Sequence, residues 1–223
     1  MKKLLGLLAI AIAGAAGYLA ITSSPIQPLA WQPQPAPLMT GVLEPNDTLM
    51  KAELLAQGQI HGPEDTAVDA QGRVYAGLHD GRVVRIADGK VETFANTGGR
   101  PLGMDFDAQG NLVLADAYKG LLRIDPAGKI EVLASAADGV PFAFTDDLDI
   151  ASDGRIYFTD ASSKFQQPDY LLDLLEGRPY GRLMVFDPAS GKTEVLLKDL
   201  YFANGVALSQ NEDFVLVNET YRY

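Results

Sequence analysis

One frame recurs about every 40 residues, its first three copies turn at a fixed glycine, and a second hairpin follows each of those three. These three observations predict an all-β chain built of propeller blades. Three stretches share the frame: EDTAVDAQGRVYAG from Glu64, LGMDFDAQGNLVLAD from Leu102 and DDLDIASDGRIYFTD from Asp146. Each has an alternating apolar segment, a turn centred on Gly72, Gly110 or Gly154, and a second apolar segment. The turn glycines lie 38 residues apart (Gly72 to Gly110) and then 44 (Gly110 to Gly154). Downstream come GRVVRIADGKVETFA, KGLLRIDPAGKIEVLA and GRLMVFDPASGKTEVLL, whose Asp-Gly, Pro-Ala-Gly and Pro-Ala-Ser-Gly turns are hairpin chemistry. A fourth copy, NGVALSQNEDFVLVNE, begins at Asn204. A β-sandwich of generic hairpins accounts for the strands but not for their matching register. About four blades are therefore expected, within residues 46–223.

Ahead of them, Lys2 and Lys3 precede an uncharged apolar run over residues 4–21. Eighteen helical residues rise about 27 Å, close to a bilayer core. Two readings stand: a retained signal anchor over residues 1–21, or a signal peptide cleaved near Ala13-Gly14-Ala15-Ala16. In either case the basic flank stays cytoplasmic and the rest is exported, to the periplasm in a bacterium. Residues 22–45 hold six prolines and read as an extended, semi-rigid spacer, with Trp31 an interfacial aromatic.

The 223 residues carry 18 basic and 29 acidic side chains, a net charge of -11, and no cysteine. The first 60 residues balance, so the acidic excess belongs to residues 61–223. That excludes thiolate metal sites, disulfides and cysteine nucleophiles, and it argues against nucleic-acid binding.

The third copy carries an insertion over residues 162–180, SSKFQQPDYLLDLLEGRPY. Pro168-Asp169 reads as a helix cap, YLLDLLE as a short amphipathic helix and Gly177 as its stop. Such an insertion is either functional or a cover over blade edges.

The repeat also works as a ruler. Eight residues before each turn glycine stand Glu64, Leu102 and Asp146, and Asn204 takes the same position in the fourth copy. In a propeller, equivalent positions on first strands form a ring around the channel. Two carboxylates and an amide converging there need a counter-charge, and an all-oxygen set suits Ca²⁺ better than Zn²⁺ or the stricter octahedron of Mg²⁺. Arg100 and Tyr118 border the expected channel mouth or stabilise hairpins. Asp147, next to the ring on an alternating strand, reads as structural. His61 and His79 lie near turns and read as surface residues.

Several motifs together resemble the strictosidine-synthase-like proteins, and the adipocyte plasma membrane-associated type among them. They are His61-Gly62-Pro63-Glu64, Gly99-Arg100-Pro101-Leu102-Gly103, Ala115-Asp116-Ala117-Tyr118-Lys119-Gly120, and the run from Tyr157 through Thr159-Asp160-Ala161 to Lys164. Phe202-Ala203-Asn204-Gly205-Val206 and Val217-Asn218-Glu219-Thr220 complete the set, so the likeness runs from about residue 43 onward. The resemblance implies a six-bladed β-propeller, related to gluconolactonases and paraoxonases, of which this chain is an N-terminal part, and an N-terminal membrane anchor.

It also implies that Glu64 and Asn204 are calcium ligands, with Asp146 where hydrolases of the superfamily usually have Asn. Leu102 departs from the polar residue of the lactonases and places an apolar wall at a substrate contact. The remaining acidic ligand, and the acid on which strictosidine-forming enzymes rely, are expected beyond Tyr223, so the fragment alone should be inactive. The expected activity is Ca²⁺-assisted hydrolysis of lactones or esters. A Pictet–Spengler-type condensing enzyme and a non-catalytic extracytoplasmic binding propeller are the alternatives.

Overall fold

The computed structural model describes residues 2–33 and 35–222, with the side chains of residues 2–4 outside the description. Helix α1 spans Lys2–Ile21, where Leu and Ala favour helix and no proline intervenes. It ends at Thr22, whose amide and hydroxyl both donate to the Tyr18 carbonyl, at 3.0 and 2.8 Å. Among the described residues no helix is long and apolar enough to cross a membrane. The orientation expected from Lys2 and Lys3 rests on side chains outside the description, and Tyr223 lies outside it too.

The remainder is all-β. The first sheet comprises β1 (Thr66–Val68), β2 (Val74–Gly77), β3 (Arg82–Ala87) and β4 (Lys90–Asn96). The second comprises β5 (Pro101–Phe106), β6 (Leu112–Asp116), β7 (Gly120–Ile124) and β8 (Ile130–Ala134). A short hairpin of β9 (Ala136–Ala137) and β10 (Val140–Pro141) leads to the third sheet. That sheet holds β11 (Thr145–Ile150), β12 (Ile156–Asp160), β13 (Gly181–Asp187) and β14 (Lys192–Leu200). Strands β15 (Ala203–Leu208) and β16 (Val215–Glu219) pair as the start of a fourth.

Within each sheet, strands follow chain order and neighbours are antiparallel. The turns after β1, β5 and β11 place Gly72, Gly110 and Gly154 at φ of 76°, 80° and 88°, which a side chain disfavours. The first strands stand side by side, β1 against β5, β5 against β11 and β11 against β15, and form a common inner surface. The sheets thus succeed one another in an arc. The core fills the spaces between them: Tyr75, Val83, Met104, Leu112 and Leu122 between the first and second. Val113, Leu121, Leu148, Phe158 and Met184 fill the next space. Fourth strands β4, β8 and β14 carry the most exposed patterns and form the outer rim.

Candidate functional site

Register fixes which end of the inner strands carries chemistry. Pro101 pairs with Asp116, Thr145 with Asp160 and Ala203 with Glu219, so each inner strand starts beside the end of its second strand. The connections at residues 78–81, 117–119 and 161–180 therefore gather at that same end.

Here the ladder breaks in the same way three times. Pairing skips one residue between Pro101 and Met104, between Thr145 and Leu148, and between Ala203 and Val206. Each break is a bulge, and Leu102, Asp146 and Asn204 sit in it. A bulge re-aims side chains that strict alternation would send to opposite faces, and the sequence pattern carries no sign of it. Glu64 lies just before β1 and is exposed, Asp146 is buried and Asn204 is half-buried.

A carboxylate at the end of the second strand anchors each bulged strand. The Arg100 amide donates to Asp116, those of Ala143 and Phe144 to Asp160, and that of Tyr201 to Glu219. Side chains of inner strands then clip one blade to the next. Asp65 accepts the Met104 amide (2.9 Å), Asp147 that of Val206 (2.8 Å) and Asp149 that of Leu208 (2.7 Å). Thr159 Oγ1 accepts the Asp147 amide and donates to the Asn204 carbonyl. Asp147 therefore has the structural contact expected of it, yet it also adds charge beside Glu64 and Asp146.

Burial, then the neighbouring Glu64, Asp147 and Asp160 carboxylates, push Asp146 well above the usual carboxylate range, against the pull of Arg100. Burial, Asp65 and Asp147 likewise raise Glu64, with Arg100 again opposing. Asp105 is raised by burial and by Asp149 and Asp65. The inner surface is thus a column of carboxylates with one guanidinium among the charges that act on Glu64 and Asp146. Sequence reasoning missed Asp65, Asp105 and Asp149, although the same frame places Asp65 just before β1 and the other two on first strands.

Among the described residues, no three His, Cys, Asp or Glu cluster closely enough to hold a metal by themselves. The Glu64, Asp146 and Asn204 set contains two carboxylates and an amide. Its all-oxygen donor chemistry fits a hard cation, with Arg100 the one opposing charge that acts on both carboxylates.

Arg100 is buried, and one of its terminal nitrogens donates to the Gly62 carbonyl at 2.8 Å while its Nε is without a partner. Leu102 packs in a buried apolar cluster with Ala117, Phe144, Ala161 and Phe202, against which Tyr221 rests. Tyr118 is exposed and its hydroxyl donates to Gln167 Oε1 in the insertion (2.8 Å). Asn204 also borders an open depression of about 700 Å³ along β15 and β16. His61 and His79 stack edge-on at 6.2 Å, both exposed.

The insertion folds as a 3-10 turn, Gln167–Asp169, and helix α2, Tyr170–Glu176, ended by Gly177 at φ 64°. Asp169 makes no side-chain capping bond, contrary to the expected cap. The helix is amphipathic in the opposite sense to a core helix. Asp173 and Glu176 are buried while Leu171, Leu174 and Leu175 face outward. Lys164 and Tyr180 hold Glu176 and keep its carboxyl low despite burial. Both Asp173 oxygens lack a hydrogen-bond partner, and burial pushes its carboxyl up to about 6.

Comparison with known proteins places this arrangement. A family model described as Strictosidine synthase matches residues 146–223, and one described as Strictosidine synthase-like, N-terminal, matches residues 41–86. The chain is 42% identical over 222 residues to the adipocyte plasma membrane-associated protein of Rattus norvegicus, covering 92% of this chain and 59% of that one. It is 46% identical over 180 residues to strictosidine synthase-like protein 4 of Arabidopsis thaliana, covering 77% of this chain and 49% of that one. The chain thus spans about half the length of these relatives. Among solved structures, a gluconolactonase from Xanthomonas campestris superposes with a TM-score of 0.60 at 24% identity, over 72% of this chain and 55% of that one.

Proposed function

The chain belongs to the strictosidine synthase-like family, and on that premise we propose that it is part of a six-bladed, calcium-dependent propeller that hydrolyses lactones or esters outside the cytoplasm. The observation that carries the reading is the bulged ring: Glu64 and Asp146 share an acidic inner surface, and Asn204 occupies the equivalent bulge. These three residues would hold Ca²⁺, which when bound supplies Lewis acidity toward a carbonyl oxygen. The chain's own residues do the rest of the work on this side of the channel. Leu102 and its cluster present an apolar wall that keeps water from the hydrocarbon part of a substrate. Arg100 sets a guanidinium beside Glu64 and Asp146, where it opposes their negative charge. Tyr118 fixes the insertion over the ring end.

The test uses the full-length protein: calcium titration by calorimetry, and turnover on a panel of lactones and aryl esters with and without chelator. Binding near one equivalent, and activity lost in chelator and in Asp146→Leu, are expected. A protein that neither binds Ca²⁺ nor turns over any member of the panel would overturn the reading. The match of residues 146–223 to the strictosidine synthase model favours a second reading, Pictet–Spengler-type condensation, for which activity persisting in chelator is the mark.

A further inference from the structure

Helix α2 turns its apolar side to solvent. Tyr170, Leu171, Leu174 and Leu175 are 45, 53, 47 and 62% exposed. This is a built feature, because the buried side is fastened: Glu176 receives Lys164 and Tyr180, and the Tyr221 hydroxyl donates to the Tyr170 carbonyl at 3.2 Å. Rolling the leucines inward would strand Glu176 away from its cation.

The Pro-rich segment, expected as an extended, semi-rigid spacer, docks on the end of this helix. The Leu29 amide donates to the Glu176 carbonyl (2.8 Å) and Arg178 Nε to the Gln27 carbonyl (2.7 Å). The docking adds two exposed apolar side chains beside the leucines, Leu29 and Trp31. Arg222 lies over the Trp31 ring at 5.5 Å, so this part of an acidic chain carries guanidinium groups of Arg178 and Arg222.

Connectivity names the occupant. The large apolar side chains of α1, from Leu5 to Ile21, are exposed on every face. A helix apolar all round needs an apolar phase about it. Residues 22–26 join it to the docked segment, and five residues reach at most about 18 Å. Any lipid phase that takes up α1 therefore lies within that reach of α2, and guanidinium groups suit lipid phosphates.

We propose that the leucine face of α2, with Leu29 and Trp31, rests on a phospholipid bilayer and turns the ring end of the sheets toward the membrane. This contact is separate from any that α1 makes and independent of the reaction catalysed.

Trp31, the chain's single tryptophan, reports on it. The full-length protein and its Trp31→Phe variant are floated with phosphatidylcholine vesicles with or without brominated acyl chains, and the difference between them isolates Trp31 emission. A twofold or greater quenching of that emission is expected. Replacing Leu171, Leu174 and Leu175 together by Gln should reduce the quenching at least fivefold while α1 still floats the protein. Circular dichroism checks that this variant is folded, and the single Leu175→Gln serves if it is not, with an expected twofold reduction. Floated protein with unquenched Trp31, as when another part of the chain covers the leucines, overturns the proposal. So does failure to float, or quenching that the Gln variants leave unchanged.

Discussion

The second sheet, β5–β8, and the third, β11–β14, share a bulge near the start of the inner strand and a buried carboxylate at the end of the second strand. They fill those places with opposite chemistry. In the second sheet the bulge holds Leu102 in an apolar cluster, and Asp116 is balanced by the amides of Arg100, Tyr118 and Lys119. In the third it holds Asp146 among like charges, and Asp160 is met by the Arg182 guanidinium. The backbone device comes with the repeat; the residue placed on it decides whether a blade contributes packing or charge. The acidity of the inner surface is therefore a choice made blade by blade.

The largest effect should come from breaking the charge compensation that distinguishes the third sheet. Arg182→Ala leaves Asp160 buried and unpaired, and denaturant unfolding should register a loss of about 3–5 kcal/mol. Asp116→Asn in the second sheet keeps an acceptor for the amides and should cost about 1–2 kcal/mol. Equal losses would mean that the two carboxylates do the same job.

Next comes the position after the bulge residue, where the second sheet has Gly103 and the third has Asp147. A Cβ on Gly103 would collide with Asp147 Oδ1 and meet the Asp147 Cα at 2.6 Å. Gly103→Ala should therefore cost about 2–3 kcal/mol through overpacking. At the equivalent Gly205 a Cβ would meet the movable Asn218 amide at 3.2 Å, and Gly205→Ala should cost less than about 1 kcal/mol. Glycine in one blade makes room for aspartate from the next, and thermal melts of the two variants test that.

These particulars separate what the sequence could tell from what it could not. The turns were legible because Gly72, Gly110 and Gly154 need positive φ, and three copies of the frame follow from them; the fourth follows from its apolar pattern alone. The bulges were not, since one extra strand residue leaves no compositional mark. Asp65, Asp105 and Asp149 were overlooked because the ruler was laid at one position of each inner strand. The period of YLLDLLE gives two faces but not which one turns inward; that depends on Lys164, twelve residues from Glu176. Proline content predicts an extended segment over residues 22–45 without indicating that Gln27 and Leu29 bind Arg178 and the end of α2.

The insertion sharpens the comparison, because it belongs to the third sheet while the second has a short turn at the same place. Its Asp173 faces Ser162, Glu176, Lys164 and the Tyr221 ring, and its carboxyl is raised from 3.8 to about 6. The folded state thus binds this proton more tightly than the unfolded one. The stability it contributes is complete below about pH 4 and is lost as pH rises through about 6. Asp173→Asn should remove that loss, so the variant gains on the order of 1–2 kcal/mol over the wild type at pH 7.5 and nothing at pH 4. Urea unfolding at the two pH values checks it, and a variant destabilised at pH 7.5 would show that the ionised carboxylate is the stabilising form.

The smallest effect concerns the hydrogen bond that ties the two sheets' connections together. Tyr118 Oη, from the short turn of the second sheet, donates to Gln167 Oε1 in the insertion of the third. Both groups are exposed, so Tyr118→Phe should cost about 0.5 kcal/mol or less in global stability. Its effect belongs to α2, whose amides sit on a peripheral segment that can open without the sheets. Hydrogen exchange should therefore quicken about twofold in residues 170–177 and stay unchanged in β6 and β12. An unchanged α2 would mean that Glu176, Lys164 and the docked Leu29 hold the helix without help from the second sheet, and that its two neighbours are fastened independently.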